Sequence, residues 1–211
     1  MNIKEQIEKY RIVPVIAIEN ADDALTLADS LIEGGLPIIE ITFRTAAAGK
    51  VIEILKRERS EMIIGAGTVL TVDNLKRAID SGASFAVAPG LNRNVVEEAL
   101  KLGFNFMPGV MTPSDVELAL SYGLNILKFF PAEVAGGVNY LKSMSAPYKH
   151  TGVKFIPTGG INTGNLKDYL SCNVVLAVGG TWIAKKEDIS AHKWNIIKNR
   201  CKEALKILEK A

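Results

Sequence analysis

The chain has 211 residues, 48% apolar and 23% charged, with a formal net charge of +2. That is enough for one sizeable domain with a full hydrophobic core, in the composition range of ordinary globular proteins. It carries no basic block or stripe and no apolar run long enough to span a bilayer, and its opening "MNIKEQIEKYR" is charged and helical in pattern, so nothing points to nucleic acid, a membrane or a secretory leader.

After that first helical stretch, short apolar segments alternate with amphipathic ones. The strand candidates are "IVPVIAI" (12–18), "PIIEIT" (37–42), "MIIGA" (62–66), "SFAVA" (84–88), "NFMP" (105–108), "NILKF" (125–129), "KFIP" (154–157) and "VVLAV" (174–178). They are rich in Val and Ile and run almost continuously apolar, as strands covered on both faces do. The helices between them carry start and stop signals. "NADDALTLADSLIEGG" opens on Asn20 and closes on Gly34 and Gly35; "TVDNLKRAIDSG" runs from Thr71 to Gly82. "TPSDVELALSYG" has Thr112 as cap, Pro113 in the first turn and Gly123 past the end. A last helix over about 187–209 sets Trp194, Ile197, Cys201, Leu205 and Leu208 on one stripe, which packing against the body of the fold explains.

Alternation of this kind predicts a parallel sheet with right-handed crossovers, and eight units predict a closed (β/α)8 TIM barrel, one domain over residues 1–211 behind an N-terminal helix. The rival, an open doubly wound sheet, would carry a glycine-rich loop after its first strand; "AIENADD" (17–23) has no glycine.

Cys172 and Cys201 form neither a disulfide framework nor a metal spacing, which suits a reduced, cytoplasmic protein. His150 and His192 lie far apart in sequence and read as surface residues. Neither a metal nor a histidine acid–base is expected; proton transfer falls to a carboxylate or a lysine.

In a barrel the chemistry stands at the carboxyl ends of the strands. There the chain offers Glu40 and Arg44 in "EITFRT", Thr68 in "GAGT", Pro89 in "APG", Lys128 and Phe130 in "LKFF", Thr158, Gly159 and Gly160 in "TGGIN", and Gly179, Gly180 and Thr181 in "VGGTW". Glycine turns after the last two strands are where such folds hold a phosphate, because backbone N–H groups can close on the anion. Lys128 lies inside an apolar strand, where an unpaired charge is costly. Either it reaches solvent and Glu40 pairs with Arg44, or burial and the nearby Arg44 disfavour its charged form. A neutral amine there would attack a ketone and form a Schiff base, with Glu40 moving protons and Arg44 gripping a carboxylate.

Taken in order, "EITFRT", "GAGTVL", "APGLN", "MPGVMTPSD", "LKFFPAE", "PTGGIN" and "VGGTW" closely resemble the bacterial 2-keto-3-deoxy-6-phosphogluconate (KDPG) aldolases, which often also cleave 4-hydroxy-2-oxoglutarate (KHG). The resemblance runs from about residue 11 to the last helix. It implies a class I, Schiff-base aldolase, a homotrimer needing no metal or other cofactor. It also implies Lys128 as the Schiff-base lysine and Glu40 as acid–base acting through water. Arg44 and Thr68 would hold the pyruvyl carboxylate, and Pro89 and Phe130 would wall the imine. Gly159, Gly160, Gly180 and Thr181 would bind phosphate. Relatives often have serine where this chain has Thr181, which keeps the hydroxyl and adds a methyl. Arg44 and Thr45 favour the gluconate and hydroxyglutarate side over the phosphogalactonate one. Two other classes share these residues: a phosphate-binding barrel isomerase or epimerase with Glu40 as base, and a non-catalytic sugar-phosphate-binding barrel.

Overall fold

The computed structural model describes residues 2–210. Asn2 caps the first helix, α1 (Ile3–Tyr10), in a reciprocal capping box with Glu5. The expected caps hold elsewhere. Asn20 accepts from Asp22 N, Thr71 from Asn74 N, and Thr112 from Asp115 N, opening the turn and helices that lead to α2 (Ala24–Glu33), α4 (Val72–Asp80) and α6 (Pro113–Ser121).

The strands are β1 (Ile12–Ile16), β2 (Ile38–Thr42), β3 (Ile63–Gly67), β4 (Phe85–Val87), β5 (Phe106–Met107), β6 (Gly109–Val110), β7 (Ile126–Phe129), β8 (Lys154–Pro157) and β9 (Val178–Gly180). They pair in parallel, in one sheet ordered β5-β4-β3-β2-β1-β9 and a second ordered β6-β7-β8. Helices α3 (Ala48–Glu58), α5 (Arg93–Lys101), α7 (Gly137–Ser145) and α8 (Leu166–Leu170) fill connections between them.

Most strand ends shift by one or two residues from the sequence reading, and three differences are larger. The fifth strand is cut at Pro108, which has no N–H to donate; β5 pairs with β4, β6 pairs with β7, and the Pro108 carbonyl accepts from Lys128 N at 2.9 Å. The eighth lies later than "VVLAV": Val175 makes only an isolated bridge to Phe155, and the ladder along β1 begins at Val178. The last helix is two, α9 (Lys186–Ser190) and α10 (Trp194–Leu208), divided by His192 at a left-handed φ of 51°.

Strand alternation sorts the side chains into two cores. One set packs between strands and helices and contains Ile12, Ile16, Ile39, Ile41, Leu127, Phe129 and Phe155. The other gathers Val13, Ile38, Phe85, Val87, Met107, Ile156 and Leu176 on the inner face, with Ile7 of α1 set against them. Gly65 makes room for this inner layer: a β-carbon there would lie 2.2 Å from the Phe85 ring. Two residues further along the same faces stand Val15, Glu40, Lys128 and Thr158. Polar groups therefore follow a packed apolar floor.

Candidate active site

Beyond that floor is a cleft of about 270 Å³, walled by Val15, Glu40, Thr42 and Arg44 from β1 and β2, Thr68 and Pro89 after β3 and β4, Thr181 after β9, and Lys128, Phe130, Thr158 and Gly159 from β7, β8 and the turns that follow them. Eight of the ten residues expected at the site border it. Gly160 and Gly180 do not. Gly160 is exposed, and Gly180 is buried under the Trp182 ring, which a β-carbon would meet at 1.8 Å. Val15 and Thr42 are walls that motif reading missed, and Thr158, named there at its strand end without a role, is a third. Their signal was positional: each shares an inner-face parity with a named residue.

At the centre, Lys128 Nζ donates to Glu40 Oε1 at 3.3 Å, both side chains under a tenth exposed. Burial of the amine agrees with the second sequence-level account of Lys128 and overturns the first; what neither gave is direct contact with Glu40. The amine does not reach solvent, and its neighbour is an opposite charge rather than Arg44. A proton on the amine therefore has an acceptor in contact. The Phe130 ring stands 5.8 Å from the same nitrogen, giving it an aromatic wall.

Glu40 holds its place because β3 offers no side chain opposite it. The register sets Glu40 against Gly65, and a β-carbon on Gly67 would lie 2.1 Å from Glu40 Oε1. Thr42 does the corresponding work for Arg44. Its buried hydroxyl donates to Ile16 O at 3.0 Å and accepts from Arg44 Nε at 3.2 Å, so the guanidinium's remaining N–H groups project from a fixed root. Thr68 has a φ of 58°, a left-handed conformation unfavourable for a β-branched residue.

On the far side, Gly159 and Gly160 have φ of 101° and 83°, the mirror-image region that glycine enters without penalty. Thr158 lies against Gly179, where a β-carbon would be 2.2 Å from its hydroxyl oxygen. Helices α8 and α9 that follow these turns have only five residues each, so the turns' own N–H groups are the main donors. Val15, Arg44 and Thr181 also wall a neighbouring hollow bordered by Trp182 and Lys185.

Outside the cleft, His150 and His192 are exposed as expected, His192 lying 3.1 Å from Asp23. Among the described residues no group of three or more His, Cys, Asp or Glu could hold a metal. Burial pushes the Cys201 thiol up to about 12, so this cysteine is a packing residue. No helix of the described residues is long and apolar enough to cross a membrane.

The arrangement is a buried amine with a carboxylate in contact, an arginine and a threonine beside them, and a glycine turn opposite. It can form and break an imine and move protons at carbons next to it. Comparison with known proteins agrees. The family model for KDPG and KHG aldolase matches residues 3–200. The 2-dehydro-3-deoxy-phosphogluconate aldolase of Haemophilus influenzae is 42% identical over 207 residues, 98% of this chain and 97% of the relative. The KDPG aldolase of Legionella pneumophila, with pyruvate captured as a covalent carbinolamine intermediate, superposes with a TM-score of 0.88 at 40% identity, covering 92% of this chain and 93% of that one. The 2-keto-3-deoxy-6-phosphogluconate aldolase of Zymomonas mobilis ZM4 with 3-phosphoglycerate gives a TM-score of 0.86 at 38% identity, covering 96% and 94%.

Proposed function

This chain belongs to the KDPG and KHG aldolase family, and we propose that Lys128 is its Schiff-base nucleophile and Glu40 its proton carrier. It is a carbon–carbon lyase. The substrate we assign is KDPG, cleaved reversibly to pyruvate and glyceraldehyde 3-phosphate. 4-Hydroxy-2-oxoglutarate, cleaved to pyruvate and glyoxylate, is the second substrate of the same site.

The contact between Lys128 and Glu40 carries this reading. Glu40 takes a proton from the amine, and the nitrogen lone pair attacks the C2 ketone to give a carbinolamine. Glu40 returns a proton to the departing hydroxyl, and water leaves as the protonated imine forms. The carboxylate then removes the C4 hydroxyl proton. The C3–C4 bond breaks, its electrons flow into the imine to leave an enamine, and C4 departs as the aldehyde. Protonation of C3 regenerates the imine, and water releases pyruvate and the free lysine. In this reading Arg44 and Thr68 hold the C1 carboxylate and Pro89 and Phe130 flank the imine; all four line the cleft. The phosphate end falls to Gly159, Gly160, Gly180 and Thr181, of which Gly159 and Thr181 border the cleft.

We read the two sheets as arcs of one closed eight-stranded barrel, with β5 and β6 as a single interrupted strand. The bridges Phe155–Val175 and Thr158–Gly179 support that closure. A single domain over residues 1–211, assembled as a cytoplasmic homotrimer, follows from the family resemblance; light scattering reads the assembly.

The test is pyruvate trapping. Incubation with pyruvate and borohydride should leave one reduced adduct, on Lys128. No adduct, or adducts scattered over surface lysines, would overturn the aldolase reading and return the isomerase to consideration.

A further inference from the structure

The sequence "FPAE" that follows Lys128 ends in Glu133, which the reaction above does not use. Its backbone N–H donates to Gly159 O at 3.1 Å, and the preceding Ala132 N–H donates to Thr158 O at 2.8 Å. Its side chain lies across the next glycine: a β-carbon on Gly160 would stand 2.6 Å from both Cβ and Cγ of Glu133. Tyr169, in α8 and 1% exposed, donates its hydroxyl to Glu133 Oε1. Gly137 passes beside the same pair, its absent β-carbon 3.2 Å from Oε1 and 3.6 Å from the Tyr169 oxygen. Three separate segments thus converge on the Gly159–Gly160 turn: the loop after Lys128, the start of α7 and the middle of α8.

We infer that Glu133 and Tyr169 form a clamp that sets the Gly159–Gly160 turn and so tunes the grip on a phosphorylated substrate. They are positioning residues, since neither borders the cleft. The inference rests on the proposed placement of the phosphate end at this turn. Two glycines at positive φ have the widest backbone freedom of any residues, and an anion held by their N–H groups needs one conformation. The backbone bonds from Ala132 and Glu133 fix the carbonyl side of the turn. The Glu133 side chain closes its outer face, and Tyr169 fixes that side chain. The hydrogen bond also ties up the carboxylate, whose charge would otherwise be loose beside an anion site. Burial raises the Tyr169 hydroxyl well above its ordinary range, and the Glu133 acceptor raises it further, so it remains a donor throughout the working pH range. The clamp joins the strand that carries the reacting lysine to the turn that would hold the far end of the substrate.

The experiment compares a phosphorylated and an unphosphorylated substrate in Tyr169→Phe, Glu133→Ala and Glu133→Gln. Tyr169→Phe and Glu133→Ala should each raise KM for KDPG roughly tenfold, the scale of one hydrogen bond to a charged acceptor. They should change kcat/KM for 4-hydroxy-2-oxoglutarate less than about twofold and leave pyruvate trapping on Lys128 intact. Glu133→Gln keeps an acceptor for the tyrosine and should stay within about twofold of the parent on both substrates. Circular dichroism melting of each variant separates clamp loss from unfolding; because Glu133 is at the surface, its variants keep the test open if Tyr169→Phe folds poorly. Equal losses on both substrates, or no change on KDPG, would overturn the clamp. Gly160→Ala distinguishes the two layers. If it too leaves KM for KDPG unchanged, the phosphate does not sit on this turn, and the clamp falls with that placement. If it raises KM while Tyr169→Phe and Glu133→Ala do not, the placement stands and the clamp alone is wrong.

Discussion

Gly67 leaves the space that Glu40 fills: a β-carbon on the glycine would lie 2.1 Å from Oε1 and 2.8 Å from Cδ of the glutamate. Both atoms belong to the carboxyl that contacts Lys128, so a methyl group here acts on the chemistry before it acts on the fold. Gly67→Ala should push the carboxylate off the amine and lower kcat by on the order of a hundredfold, as misplacement of reacting groups by about 1 Å does. Its melting temperature should fall only modestly. Steady-state kinetics alongside a thermal melt checks this; a fully active Gly67→Ala enzyme would mean that Glu40 works from another rotamer.

The buried pair also predicts a stability cycle. Lys128→Met removes the cation and leaves the Glu40 carboxylate charged and unpaired, at a cost of about 3 kcal/mol. Lys128→Met with Glu40→Gln removes both charges and should recover most of that loss. Urea unfolding of the two variants and the parent reads the cycle. A double variant as unstable as Lys128→Met would show that packing, not charge, sets the cost. Neither variant should trap pyruvate.

Thr42 is the support for Arg44. Thr42→Val keeps the shape and removes both the acceptor for Arg44 Nε and the donor to Ile16 O. The guanidinium then samples more orientations, and KM for both substrates should rise about tenfold because both carry the C1 carboxylate that Arg44 is proposed to hold. Inhibition by a pyruvate analogue should weaken in parallel. An unchanged inhibition constant would place carboxylate recognition elsewhere.

Away from the site, acid stability should depend on Asp29. Hydrogen bonds from Arg59 Nε and Nη2, at 2.6 and 2.9 Å, hold its carboxyl below the ordinary carboxylate range, against a smaller upward push from burial. The folded value is thus lower than the unfolded one near 3.9. In that window the unfolded chain binds more protons, so the pair's contribution is complete above it and is lost as pH falls through the folded value. Arg59→Ala should therefore cost little stability at pH 7, since the carboxylate is nearly half exposed. The cost should vanish toward pH 2. A deficit that persists at pH 2 would assign it to lost packing of the arginine stem.

Much of this molecule could be read from its residues in order. Helix starts were legible because the caps act over three residues, as Thr71 to Asn74 and Thr112 to Asp115 show. Strand existence was legible from runs such as "PIIEIT", but strand ends were not. Pro108, with no N–H to donate, separates β5 on β4 from β6 on β7, and the ladder of the last strand begins where β1 lies alongside it. The break at His192 rests on a left-handed residue that carries no glycine to announce it.

The candidate site divides in the same way. Sequence alone determined which chemical groups stand at the carboxyl ends of strands, because alternation along each strand is a local rule with a period of two. Only the tertiary structure decided which of those groups meet. Lys128 and Glu40 are 88 positions apart on strands that are not neighbours in either sheet, and Arg44, the neighbour inferred for the lysine, is rooted instead on Thr42. Contact across an interior depends on curvature and on the bulk of what lies between. Here that is settled by Gly65 under Phe85 and Gly67 beside Glu40, whose meaning lies in the residues they do not obstruct.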